Sequence, residues 1–309
     1  MQSGFRKLSR VDLPRVMSFY ESESGDTIII EMNRTCTTDN MQKNNAAFEA
    51  WSLRLKSEGY NKLILTDNDT GEDNKSNAHL HYNRFLYRVM RFTEAFSWFT
   101  TSQELCEKVD AFRREKILRD DLCVGTPTDS TSTQSELLEP NIERTLIRTD
   151  RRDFVNALLK VNVDRYYNQL PISLFMNNDA TDKTKIFPSD GSRIDIWGLE
   201  DSTINIVELK VGSNKDIGVI SQLFFYASFM QEMYCHRHLE RKDPPNLRGY
   251  YSYKLERGYI KLIDANIESI KAHFLLENKH RYFDTAFAEL QKCRLDGIRF
   301  EYAHLPRLD

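Results

Sequence analysis

Long apolar runs are missing from this sequence. No stretch reaches the roughly 18 to 20 apolar residues that a membrane helix needs, and the most apolar helix candidate, Ile217 to Met230, is broken by Ser221, Gln222 and Ser228. The opening MQSGFRKLSRVDLP lacks the apolar stretch of a secretory signal, so a cytoplasmic chain without membrane association is expected. Cysteine is scarce as well. Cys36, Cys106, Cys123, Cys235 and Cys293 form an odd, widely spaced set with no CxxC pair. That pattern argues against a disulfide framework and a cysteine zinc site, and reads as buried or inert thiols. Positive charge is not in excess: the formal net charge is −3, so any nucleic-acid binding must come from a local patch. Neither an internal repeat nor a glycine-rich phosphate loop is visible in the N-terminal third.

What is present suits a folded chain: apolar residues make up 40%, aromatics 11% and charged residues 29% of 309. At roughly 150 residues per domain, two domains are expected. The segment from Gly125 to Ser135 (GTPTDSTSTQS) contains only small, polar or turn-forming residues. It reads as a linker or exposed loop over 125–136, separating an N-terminal α/β module (1–124) from a C-terminal domain (137–309). In the module, Thr27 to Met32 reads as a strand, Ala46 to Lys56 as a helix through Phe48, Trp51, Leu53 and Leu55, and Lys62 to Leu65 as a second strand. Helices are expected over Tyr82 to Phe99 and Ser102 to Leu118. Arg84, Arg88 and Arg91 then share a helix face, which is a solvated face by default or, more sharply, a phosphate-facing strip. His79 and His81 near Asp67, Asp69 and Asp73 match no metal spacing and read as loop polarity.

The chemistry-bearing stretch is SRIDIWGLEDSTINIVELK, from Ser192 to Lys210. Two β-branched, apolar runs, Ser192–Leu199 and Ile204–Val211, flank the polar turn Glu200–Thr203 and predict a β-hairpin. Asp195 lies in the first strand. Glu208 and Lys210 stand two apart in the second, so the period of two puts them on one face while Leu209 points to the other. Charged groups among Ile204, Ile206, Val207, Leu209 and Val211 are costly if buried without partners. Two carboxylates from neighbouring strands make a hard-oxygen site suited to Mg²⁺ or Mn²⁺. A lysine beside such an ion can orient or deprotonate a water and steady charge on a phosphate oxygen.

This pattern resembles the PD-(D/E)XK nuclease superfamily, whose signature is an Asp in one strand followed by (D/E)-x-K in the next; here it reads Asp195 and then Glu208-Leu209-Lys210. Downstream, Gln222 to Tyr226 is similar to the Q-x-x-x-Y motif of the RecB-like branch, with both residues on one helix face. Upstream, Glu139-Pro-Asn-Ile-Glu143 opens a helix expected from Asn141 to Leu159, where this superfamily often places a further acidic ligand. Ile194 stands where the motif names a proline, and the choice among Glu143, Glu139 and Glu136 stays open. The order of elements agrees: that helix, a strand near Leu170–Phe175, the hairpin, the Gln222 helix, and strands at Tyr250–Lys254 and Tyr259–Ile263. The resemblance covers about 139–265 and implies a restriction-endonuclease-like αβββαβ core.

By position, the resemblance implies metal binding by Asp195 and Glu208, with the Leu209 carbonyl as a further ligand and Glu143 completing the site or its surroundings. It implies Lys210 as the catalytic lysine, and Gln222 and Tyr226 as residues that position the DNA backbone or hold the lysine and its water. The expected activity is Mg²⁺- or Mn²⁺-dependent phosphodiester hydrolysis, with DNA the favoured partner and a homo-oligomer possible. Basic residues (Arg237, Arg241, Lys242, Arg248, Lys254, Arg257, Lys261) outnumber acids between Cys235 and Lys261, with Tyr250, Tyr251, Tyr253 and Tyr259 interleaved. The tyrosines read first as sheet packing, and otherwise as part of a groove tracking a strand of nucleic acid. Arg144, Arg148 and Arg151 share a face by helical spacing, either solvated or near a phosphate. Three rivals stand beside the nuclease reading: a surface Glu208–Lys210 ion pair on a chance hairpin, an inactive binding or assembly protein, and a defence effector switched by a small molecule or protein at the N-terminal module.

Overall fold

The computed structural model describes residues 4–10, 12–68, 77–125, 138–188, 192–212, 216–235, 246–249 and 258–307. The chain is an α/β protein of two units: 1–117 with 216–222 and 280–295, and 118–215 with 223–279 and 296–309. A single cut near 125–136 therefore does not describe it, because two late segments belong with the first unit. Residues 126–136 lie outside the described residues, while Gly125 ends a buried strand.

In the first unit, β1 (Phe5–Lys7), β2 (Met17–Ser22) and β3 (Thr27–Asn33) run antiparallel to one another in turn. From β3 the chain passes through α1 (Arg34–Thr37) and α2 (Phe48–Ser57) to β4 (Lys62–Asn68), then through α3 (Ala78–Ala95) to β5 (Phe99–Thr101). β3, β4 and β5 are parallel neighbours, as βαβ crossovers require. α4 (Gln103–Phe112) follows, its first turn capped by Ser102 Oγ accepting the Leu105 N–H at 3.3 Å, and it runs on into a π-turn at Arg113–Ile117. The expected helix to Phe99 ends at Ala95 because Phe99 is needed in the sheet. There its ring meets Phe48 at 5.9 Å, and Phe48 also packs edge-on against Phe85 and Phe92.

The arginine strip on α3 is neither a solvated face nor a phosphate strip. Arg84, Arg88 and Arg91 are all buried. Arg88 Nε donates to Glu49 Oε1 at 2.7 Å and its terminal nitrogen to the Ala46 carbonyl at 2.8 Å, tying α3 to α2. Asp67 is also buried, held by Tyr82 and Lys108; Asp69 and Asp73 lie outside the described residues. The late segment adds a helix, Phe283–Leu290, packed on α2. Beside it Arg54 stacks 3.7 Å over the Tyr282 ring.

The second unit contains β6 (Cys123–Gly125), α5 (Leu138–Leu146), α6 (Arg152–Leu159), β7 (Tyr166–Pro171), β8 (Leu174–Phe175), β9 (Arg193–Glu200) and β10 (Thr203–Lys210). α7 (Gly218–Tyr234) starts in the first unit's segment and continues here, followed by β11 (Asn246–Gly249), α8 (Ile260–Ile263), β12 (Ser269–Leu276) and β13 (Ile298–His304). The main sheet has the order β13-β12-β10-β9-β7, and a small sheet the order β11-β6-β8. β7, β9 and β10 are antiparallel in turn, and β10, β12 and β13 are parallel. Helix, three strands, helix and strand thus succeed one another as α5/α6, β7, β9, β10, α7 and β12. The last of these strands is β12, not Tyr259–Ile263, whose apolar residues form the short helix α8; Tyr250–Lys254 lies outside the described residues. The strand expected near Leu170–Phe175 is two strands in different sheets.

The single helix expected from Asn141 to Leu159 breaks after Leu146, with a 3₁₀ turn at Thr149–Arg151 between α5 and α6. Arg144, Arg148 and Arg151 therefore do not share a helical face. Arg148 instead pairs with Asp150 and Arg152 with Asp153 at the surface. Leu146, Val155 and Leu159 cover one side of the sheet, packing with Ile196, Val207, Leu209 and Leu275. Gly198 in β9 permits close approach there, since a Cβ on it would lie 2.5 Å from Val163 Cγ1. All described side chains of α7 are buried, as its nearly uniform apolarity demands.

Candidate active site

The site forms where the sheet opens. The β9–β10 ladder runs from Glu200–Thr203 to Ile196–Val207 and stops. The β7–β9 ladder skips a single pair, between Asn168–Ile196 and Leu170–Ile194. Continuing both registers, the residue opposite Asp195 is Glu208 on one side and Gln169 on the other. Asp195 thus stands where β9 parts from β10 and where one pair of its ladder to β7 is skipped, and its Oδ2 accepts the Leu209 N–H at 2.8 Å.

Glu208 is fully buried, Asp195 7% exposed, Lys210 8% and Glu143 3%. A surface ion pair between Glu208 and Lys210 is therefore ruled out. Lys210 Nζ lies 2.7 Å from Glu208 Oε1. The two form a buried ion pair. Lys210 also donates to Glu139 Oε1 at 3.1 Å and to the Leu209 carbonyl at 3.0 Å. As the alternation predicts, Leu209 packs in the core on the opposite face. The two α5 carboxylates divide their work: Glu139 meets the lysine, while buried Glu143 accepts a hydrogen bond from Gln169 Nε2 at 2.6 Å.

The electrostatics follow from four carboxyls sharing one ammonium. Burial, opposed by Lys210 and the Leu209 N–H, leaves Asp195 pushed up to about 6. Burial and then the charge of Asp195 push Glu143 up to about 8, and the same two causes hold Glu208 well above the ordinary carboxylate range. Burial works against the charge of Lys210, but Glu208, Asp195 and Glu139 outweigh it and hold the lysine well above its usual range. Lys210 is therefore an ammonium at neutral pH. One positive charge does not balance the cluster, so it either keeps protons or takes up a cation. The donor set suits a hard divalent ion: the fully buried Glu208 carboxylate, whose Oε2 has no hydrogen-bond partner, and the Asp195 carboxylate. Among the described residues, no three His, Cys, Asp or Glu side chains are already gathered as a metal-binding group.

Gln222 and Tyr226 are buried on α7; the hydrogen bonds and ion pairs of Asp195, Glu208 and Lys210 described above come from β10 and α5. The basic and aromatic cluster falls mostly outside the described residues, Arg237, Arg241, Lys242, Lys254, Arg257, Tyr250, Tyr251 and Tyr253 included. Tyr259 is described: it is buried and donates its hydroxyl to the Gln169 carbonyl at 2.6 Å. Two residues of this neighbourhood escaped sequence reasoning. The sequence offers Glu139 only as an alternative to Glu143, and nothing in the spacing marks Gln169. All five cysteines are free thiols, and no helix among the described residues is long and apolar enough to cross a membrane. A scan of family models and searches of the curated proteins and of the solved structures found no match to the chain.

Proposed function

We propose that the chain is a cytoplasmic, metal-dependent nuclease that hydrolyses phosphodiester bonds, with DNA as the expected substrate. The observation that carries this reading is the buried Asp195–Glu208–Lys210 cluster at the opened edge between β9 and β10, where acidic charge exceeds what the lysine neutralises. The resemblance to PD-(D/E)XK nucleases is supported by the succession of helix, three strands, helix and strand, and by the order β12-β10-β9-β7. Free, scattered cysteines agree with a reducing compartment.

Asp195 and Glu208 would hold Mg²⁺ or Mn²⁺, with the Leu209 carbonyl as a further ligand and Glu143 completing the site or its surroundings, and the ion would supply Lewis-acid polarisation of the phosphate and acidify a water. The chain's own contribution is largely electrostatic. Lys210, kept as an ammonium by Glu208, Asp195 and Glu139, orients the attacking water and offsets negative charge as it builds on a phosphate oxygen. Glu139 sets the lysine's direction through a 3.1 Å hydrogen bond, and Gln222 and Tyr226 are assigned to substrate or lysine positioning. The test is incubation of the purified chain with Mg²⁺ or Mn²⁺ and circular, linear and single-stranded DNA and RNA. Cleavage that EDTA abolishes supports the reading; no cleavage of any substrate overturns it for the isolated chain. Cleavage appearing only after a nucleotide or cell extract is added would give the first unit a switching role.

A further inference from the structure

Gln169 is the one residue of β7 skipped by the ladder to β9, although the register on either side is unbroken. It has a φ of 59°, in the left-handed region that a side chain such as glutamine seldom adopts. Both of its polar ends are nevertheless used. The carbonyl turned out of the ladder accepts the Tyr259 hydroxyl at 2.6 Å, and the side-chain Nε2 donates to Glu143 Oε2 at 2.6 Å. A turn kept only for backbone reasons would account for the first bond but not for an amide aimed at a 3% exposed carboxyl in the acidic cluster. Local strain retained beside a chemically loaded site fits a geometric task there.

We infer that Gln169 is a positioning residue for the divalent cation: pinned by Tyr259, it fixes the orientation of the Glu143 carboxyl that would complete the metal site. This rests on the metal-site reading above and adds to it a residue that touches neither ion nor substrate. Outer residues of this kind set ligand orientation and typically change metal affinity about 10- to 100-fold.

The test is a Mn²⁺ titration of the full chain, followed by the electron paramagnetic resonance signal of free Mn²⁺, on the wild type, Gln169→Gly, Glu143→Gln and the double variant. Glycine adopts the same φ without strain, so the fold is kept while the amide is lost; Gln169→Asn, which tolerates this backbone but falls one methylene short, should behave alike. The expected result is roughly 10-fold weaker Mn²⁺ binding in Gln169→Gly, and almost no further loss when the same change is made on Glu143→Gln. Unchanged affinity in Gln169→Gly, or an equal loss in both backgrounds, overturns the role of Gln169 while leaving the metal site standing. A wild type that binds no Mn²⁺ overturns both.

Discussion

Glu143→Gln should make the protein more stable at neutral and alkaline pH. Burial and the charge of Asp195 push this carboxyl from 4.5 up to about 8. A carboxyl whose folded pKa exceeds its unfolded value binds its proton more tightly in the folded state. Its contribution is therefore fully present below about 4.5 and is lost as pH rises toward 8. At pH 7 the solution is roughly 2.5 pH units past the unfolded value, and about 1.36 kcal/mol per unit gives a cost of up to about 3 kcal/mol. Protons shared with Asp195 and Glu208 reduce it, leaving about 1–3 kcal/mol. Glutamine carries no charge and still offers an oxygen to Gln169 Nε2, so the substitution removes the cost without stranding that donor. Urea unfolding of wild type and variant at pH 5 and pH 8 measures the effect. The midpoints should nearly coincide at pH 5, and the variant should unfold later at pH 8. A variant less stable at pH 8, or an offset identical at both pH values, would refute the reasoning.

Three other substitutions probe the framework. Burial, then Lys271, pushes His273 down from 6.5 to about 4, so it folds neutral against Asn205. Stability should fall by up to about 3 kcal/mol as pH drops from 6.5 toward 4, and His273→Gln should flatten that loss in urea melts taken across this range. Arg88→Met leaves the fully buried Glu49 without its cation and should cost about 3–5 kcal/mol, whereas Arg88→Met with Glu49→Leu should recover most of it in thermal melts.

The candidate site was legible because it breaks a strong local rule. Charges at Asp195, Glu208 and Lys210 interrupt strands otherwise made of Ile, Val and Leu, and a period of two fixes their faces without knowledge of the rest of the chain. Elements decided by distant partners were not legible. The spacing of Arg84, Arg88 and Arg91 showed a helix, but their burial depends on groups such as Glu49, 39 positions away from Arg88. Tyr259–Ile263 and Ser269–Leu276 are short runs whose apolar residues suit either a helix or a strand. The second is the true neighbour of β10 because the parallel register places it there, with Lys271 and His273 accommodated by Glu200 and Asn205. Gln169 carries no signal, since a left-handed glutamine inside a strand is set by what surrounds it. Nor does composition tell that 280–295 folds with the first unit: Trp51, Arg54 and Tyr282 meet only in three dimensions.

The most direct test of the central claim is the rate of Mn²⁺-dependent DNA cleavage by wild type beside Lys210→Ala, with circular dichroism establishing that both are folded. Removing the ammonium that faces Glu208 and Asp195 should slow cleavage by about 100-fold or more, with Glu139→Gln showing a smaller loss. Equal rates in wild type and Lys210→Ala, or no cleavage by either, would contradict the account.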